Sequence, residues 1–259
     1  MKAVILCGGY GTRIRDVSER APKPMLNIGN RPVLWHIMKM YAHYGIKEFV
    51  LCLGYKGAVI KEYFLNYYAM NNNISIDLKT EKVIYERQKE MEDWNIELVD
   101  TGLEAQTGAR LKRVKKYVGE DTFCMTYGDG VASLDIGKLI EFHKKNNKIA
   151  TMTAVRPPSR FGEMVIDDKN VIQHFHEKPQ AVEGYINGGF FVFNSKIFSY
   201  ISDENDCILE QSPLKNLVKE RQMVAYKHDG FWQCMDTHRE YELLNSLWEE
   251  GAAVWKVWD

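Results

Sequence analysis

"KAVILCGGYGTRIRDVSERAPKPM", residues 2–25, joins a short apolar run to a glycine-rich turn and a lysine held between two prolines. "KAVIL" shows no polar/apolar alternation, so it reads as a strand buried on both faces, at the centre of a mainly parallel sheet. In Gly8-Gly9-Tyr10-Gly11 the glycines let backbone N–H groups approach and face an anion. Arg13 and Arg15 follow, and arginine binds phosphate oxygens bidentately. The phosphate-loop pattern G-x-x-x-x-G-K-[ST] is not matched. The dinucleotide fingerprint also fails, because Ile14 stands where its last glycine belongs. The stretch is therefore expected to be a longer extended loop in which Pro22 and Pro24 present Lys23 in a fixed direction. The plainer alternative is a solvated loop with ordinary charges.

Outward from this loop the chain alternates strands and helices. Val33, Leu34, Ile37, Met38 and Tyr41 recur at helical spacing, with Gly45 just beyond. "KEFVLCLGY" reads as a strand, "GAVIKEYFLNYY" as a helix, "IELVD" as a strand and "ARLKRVKKYV" as a helix. "TFCMTYGDG" and "IATMTAV" are further strands, with a helix between them that opens at Ser133 and Asp135. This rhythm predicts an α/β fold: a Rossmann-like mixed, mainly parallel sheet flanked by helices. Residues 79–95 form a charged excursion or flap. After Pro157-Pro158, "EMVIDDKNVIQHFHEKP" reads as a hairpin. "YINGGFFVFN" is a strand broken by a glycine pair, and residues 238–250 form a terminal amphipathic helix. With no repeat or linker, residues 1–259 are expected to be one domain with a smaller, elaborated second half.

Lys plus Arg number 34 and Asp plus Glu 35, which argues against bulk attraction to nucleic acid or an anionic membrane. Five scattered cysteines without a C-x-x-C pair suit a reduced, cytoplasmic protein. No segment approaches the length of a membrane span, and the apolar run at the start is too short for a signal peptide.

Asp129 ends an apolar strand between Gly128 and Gly130, where open α/β sheets bind ligands. It could hold a hard cation such as Mg²⁺, or simply serve a turn. Asp236, just before the terminal helix, reads on its own as an N-cap. Arg110 is either a donor to a ligand or part of an exposed basic helix with Lys112, Arg113, Lys115 and Lys116. Glu177-Lys178 and Asn187-Gly188-Gly189 would, as isolated peptides, be loop surface and a bulge. Trp232 either lines a pocket or fills the core. Neither a serine–histidine arrangement nor a convincing histidine metal spacing is present; His174 and His176 suit a surface or packing role.

G-G-x-G-T-R followed by K-P-M after a first strand resembles the signature of the sugar-1-phosphate nucleotidyltransferases. The resemblance runs through "WHIMKMY", "GIKEFVLCLGYKG", "IKEYF", "WNIELVDTG", "TGARLKRV", "TYGDGVASLD", "EKP", "INGGFFV" and "FWQCMDT", and it is similar in detail to the branch that joins CTP to glucose 1-phosphate. Tyr10, where the family usually has an aliphatic residue, and Cys234 before Met235 depart from the pattern.

The resemblance implies transfer of CMP from CTP to glucose 1-phosphate, giving CDP-glucose and pyrophosphate for deoxysugar and surface-polysaccharide synthesis. It assigns residues 1–150 to the nucleotide and 151–259 to the sugar phosphate. It makes Asp129 and Asp236 the Mg²⁺ ligands, and Arg13, Lys23 and these aspartates the catalytic set. Nucleotide contacts fall on Leu6, Gly8, Gly9, Tyr10, Gly11, Thr12, Arg13, Lys23, Thr107, Gly108, Arg110 and Gly128. Sugar-phosphate contacts fall on Glu177, Lys178, Asn187 and Gly188. It also implies a homo-oligomer, for which the aromatics of "YFLNYYAM" and "VWKVWD" are candidate contacts. The alternatives are the same chemistry with another nucleotide or acceptor, or a non-catalytic sugar-nucleotide-binding protein; the failed fingerprint makes a dehydrogenase remote.

Overall fold

Ala3 and Ile5 face one side of strand β1 (Lys2–Leu6) and Val4 and Leu6 the other, and in the computed structural model each side feeds its own hydrophobic core. Unbroken apolar sequence is what a strand covered on both faces requires. The structure describes residues 1–11, 21–86, 91–157, 163–168, 171–176 and 184–258.

After β1, short β2 (Asn27–Ile28) and β3 (Arg31–Pro32) lead into α1 (Val33–His43). β4 (Glu48–Leu53), α2 (Gly57–Leu65) and α3 (Tyr67–Met70) precede a hairpin of β5 (Asn73–Asp77) and β6 (Lys82–Glu86). β7 (Asn95–Asp100), α4 (Thr107–Arg113), α5 (Lys115–Val118), β8 (Phe123–Tyr127), β9 (Gly130–Ala132), α6 (Ile136–Asn146) and β10 (Ala150–Val155) follow. The remainder contains β11 (Glu163–Ile166), β12 (Ile172–His176), β13 (Ile186–Phe193), α7 (Ser212–Lys219), β14 (Met223–His228), β15 (Trp232–Cys234) and α8 (His238–Glu249).

Seven strands form the central sheet in the order β14-β10-β13-β8-β1-β4-β7. β13 alone runs opposite to the rest, antiparallel to β8 and β10. The expected mixed, mainly parallel, Rossmann-like sheet is therefore present. Because β13 is reversed, its leading residues Asn187 and Gly188 lie at the edge where β1, β4, β7 and β8 end, which is the ligand-binding edge of such sheets.

Several elements depart from expectation. The helix through "GAVIKEYFLNYY" breaks at Asn66. The excursion begins earlier, as the β5–β6 hairpin at Asn73. The terminal "VWKVWD" turns inward: Trp255 is fully buried and stacks on Phe231 at 5.6 Å, and Trp258 meets the Trp35 ring edge-on at 5.7 Å. All five cysteines are free thiols. Among the described residues no helix is long and apolar enough to cross a membrane.

Helix α8 starts with a capping box. The Thr237 hydroxyl accepts from the Glu240 N–H, and the Glu240 carboxylate accepts from the N–H groups of Thr237 (2.8 Å) and Asp236 (2.7 Å). Thr237, not Asp236, is thus the N-cap, and the Asp236 carboxylate is turned elsewhere. Thr237→Ala is expected to lower unfolding free energy by about 1 kcal/mol in denaturant titration.

Candidate active site

Lys23, Asp129 and Asp236 meet at one point. The Lys23 ammonium donates to Asp129 Oδ2 at 2.6 Å and to Asp236 Oδ1. Of the expected extended loop, residues 12–20 lie outside the described residues; at its end Lys23 opens a single 3-10 turn (Lys23–Met25) after Pro22, with Pro24 buried behind it. The two aspartates are brought together by backbone pairing. β9 runs antiparallel to β15 with Gly130 opposite Cys234, and the Met235 N–H continues the ladder to the Asp129 carbonyl at 2.8 Å. Asp129 and Asp236 therefore flank the same end of one ribbon.

The Lys23 side chain is 11% exposed and the carboxylates 27% and 29%. Burial acts to lower the Lys23 pKa, but the charges and hydrogen bonds of Asp129 and Asp236 together outweigh it and raise it above the ordinary 10.5. While its two carboxylate partners are ionised, the raised Lys23 pKa contributes stability below about 10.5, and that contribution is lost as pH climbs past the raised folded value. The neighbouring Cys234 thiol is pushed up to about 12, by burial first and then by Asp236, so it is no nucleophile at neutral pH.

A cavity of about 210 Å³ opens beside the pair, its walls including Tyr127, Asp129, Asn187, Gly188, Trp232 and Asp236. Trp232 settles as a wall residue that also donates from Nε1 to the Gly188 carbonyl at 2.7 Å. Asn187 and Gly188 thus share one cavity with the two aspartates.

The glycine loop lies over the ends of β1 and β4. Gly128 N–H donates to the Leu6 carbonyl at 3.0 Å, and Cys7 N–H to that of Cys52 at 2.9 Å. Gly11 takes φ +61°, and a side chain at Gly8 would overlap the Arg110 guanidinium. Tyr10 is half exposed; its hydroxyl donates to Glu104 at 2.9 Å and its ring lies 5.1 Å from that of Tyr55.

Arg110 is not on an exposed basic face. It is buried, and its guanidinium donates to the carbonyls of Gly8, Leu53, Gly102 and Leu103 and to the Thr101 hydroxyl. It ties α4 to the ends of β1, β4 and β7 and floors the glycine loop; burial lowers its pKa. Thr107 and Gly108 open α4, packed against Cys207–Glu210, a segment the sequence did not mark. Thr12, Arg13, Glu177 and Lys178 lie outside the described residues. Tyr127 sits inside "TYGDGVASLD" with nothing there to mark a role for it, and Glu210 belongs to no motif.

The family and the fold are given by comparison with known proteins. The nucleotidyl transferase family matches residues 2–250. Glucose-1-phosphate cytidylyltransferases of Salmonella typhi and Salmonella typhimurium are each 49% identical over 260 aligned residues, covering 100% of both chains. The solved UDP-glucose pyrophosphorylase in complex with UDP-glucose shares the fold, with a TM-score of 0.68 at 16% identity over 96% of this chain and 98% of that one. A strand–glycine-loop start, an ammonium clasped by two aspartates and a full-length family match converge: the chain belongs to the nucleotidyl transferase family.

Proposed function

We propose that this chain transfers CMP from CTP to α-D-glucose 1-phosphate, making CDP-glucose and releasing pyrophosphate. The observation that carries the proposal is the Lys23 ammonium between two carboxylates on the wall of the cavity that Asn187 and Gly188 also line. Residues 1–150 would supply the nucleotide side and 151–259 most of the sugar-phosphate side of a single unit.

A phosphate monoester has its second pKa near about 6, so the acceptor oxygen is already anionic at neutral pH and needs no general base. The barrier lies in holding two anions in line, which calls for fixed positive charge. Lys23 neutralises charge growing at the α-phosphorus. Arg13 holds the triphosphate and the departing pyrophosphate. Glu177 accepts from sugar hydroxyls, while Lys178 meets the sugar phosphate. Asn187 and Gly188 let the chain approach the hexose closely. Backbone groups of Leu6, Gly8, Gly9, Tyr10, Gly11 and Thr12, together with Thr107, Gly108 and Gly128, surround the nucleotide; Arg110, expected as a direct donor, acts only from beneath, by holding the Gly8 carbonyl. A backbone carbonyl aimed at the amino edge of cytosine would reject uracil.

Asp129 and Asp236 gather on one cation and offer hard anionic oxygens, a donor set that fits Mg²⁺. Among the described residues no group of three or more His, Cys, Asp or Glu could hold a metal, so phosphate oxygens and water would complete the shell. When held by Asp129 and Asp236, Mg²⁺ would supply positive charge to neutralise phosphate oxygens.

With "VWKVWD" turned inward, we place a homo-oligomer contact on "YFLNYYAM" together with the β5–β6 hairpin that it meets through Tyr68 and Tyr85, and the chain in the cytoplasm. Ile74 lies opposite Tyr85 and Ile76 opposite Val83, so one face is apolar, and all four are exposed. A two-stranded ribbon is marginal in water, and beyond the Tyr85–Tyr68 ring contact at 5.0 Å this face gains from being covered.

Pyrophosphate release measured across four nucleotides and several sugar 1-phosphates should peak with CTP and glucose 1-phosphate; a peak with another pair would replace the proposed substrates. Chelating divalent ions should stop turnover and Mg²⁺ restore it. Lys23→Ala, assayed on protein shown by circular dichroism to be folded, should lose about 10²–10³ in kcat; near-normal turnover would refute the role given to Lys23. Ile74→Asp with Ile76→Asp should lower the mass seen in analytical ultracentrifugation, and an unchanged mass would move the contact elsewhere.

A further inference from the structure

We propose that Glu210 is a positioning residue that orients Asn187 toward the sugar, acting through the Tyr127 hydroxyl. The proposal rests on the sugar-binding role given to Asn187 above.

The polarity of the hydrogen bonds carries it. An ionised carboxylate only accepts, so the Tyr127 O–H must donate to Glu210 Oε1. Burial, then the Glu210 charge, raises the Tyr127 pKa and keeps that proton in place. The phenolic oxygen is left with acceptor capacity alone, and the Asn187 Nδ2 amide approaches it at 3.4 Å. At the other end of the amide, Asn187 Oδ1 accepts from the Gly189 N–H at 2.8 Å. Both ends of Asn187 are thus specified. One Nδ2 hydrogen and one Oδ1 lone pair remain, a donor and an acceptor on the cavity wall suited to a vicinal pair of sugar hydroxyls.

The chain around the relay is shaped to hold it. Gly189 takes φ +79°, and a Cβ there would come within 2.7 Å of the Tyr127 ring, so the ring lies flush against β13. The Trp232 indole holds the Gly188 carbonyl between them. Glu210 Oε2 accepts from the Thr107 hydroxyl at 2.6 Å, and Thr107 Oγ1 in turn accepts from the Leu209 N–H at 2.9 Å. One carboxylate therefore ties the start of α4, on the nucleotide side, to Asn187 on the sugar side.

Glu210→Gln separates the two arms. Its amide oxygen can still accept from Thr107, but its NH₂ would donate to the Tyr127 oxygen. The phenol must then turn its own proton toward Asn187, whose amide is driven to flip. We expect KM for glucose 1-phosphate to rise about tenfold, the order of one misdirected hydrogen bond, with KM for CTP changed by less than about twofold. Tyr127→Phe should give a similar sugar-specific rise, and the double variant should match Tyr127→Phe alone, because both changes act on one relay. An unchanged sugar KM in folded Glu210→Gln, equal rises for both substrates, or additive effects in the double variant would each overturn the proposal. If Glu210→Gln does not fold, Tyr127→Phe decides: an unchanged sugar KM overturns it. Wild-type protein that turns over no sugar 1-phosphate would instead remove the proposed function, and this role with it.

Discussion

The contact on which the site depends is the ammonium of Lys23 between the carboxylates of Asp129 and Asp236. Two like charges cannot share a partly buried corner without a cation. Partial burial makes the pairing strong and its geometry demanding. The three residues come from the first loop, the end of a central strand and the approach to the last helix, so the whole chain must fold before they meet. Such a pair is weak evidence for stability as such. Its value lies in gathering, at one edge of the sheet, charge that phosphate chemistry can use.

Two devices hold that corner. The β9–β15 ribbon sets the aspartates side by side through backbone hydrogen bonds, and Glu240 fixes the Asp236 N–H from the first turn of α8. Arg110 does the corresponding work beneath the glycine loop, collecting carbonyls at the ends of three neighbouring strands. Carbonyls at strand ends have no ladder partner, and a buried guanidinium with five donors satisfies several at once. The glycine loop thus rests on a hydrogen-bonded floor.

Reversal of β13 completes the arrangement. A strand running parallel to its neighbours would carry Asn187 to the far edge of the sheet. Running antiparallel, it delivers Asn187 and Gly188 beside Asp129 and opposite Trp232. The first part of the chain contributes the loop, one aspartate and Tyr127, the last part the second aspartate with Asn187, Gly188 and Trp232.

Much of this was legible in the sequence because it is local. The run "KAVIL" predicts a doubly covered strand, the spacing of Val33, Ile37 and Tyr41 a helix, and Gly8 to Gly11 a loop built for close approach. Lys23 and Asp129 stand out by their proline and glycine neighbours, and Asn187 by its glycine pair. Asp236 does not: beside a helix start a lone aspartate is more simply a cap, and only the structure gives that task to Thr237. Arg110 reads as one of several basic residues on a helix, yet it alone is buried among carbonyls. Tyr127 and Glu210 lie more than eighty positions apart and nothing in the sequence joins them, because a relay of hydrogen bonds is defined by distance and direction in space. Periodicity and turn chemistry, which act between neighbours, determined the elements and the loop. Strand order, the reversal of β13 and the convergence of charges on Lys23 were decided by long-range packing and pairing, whose energy exists only once the chain has closed on itself.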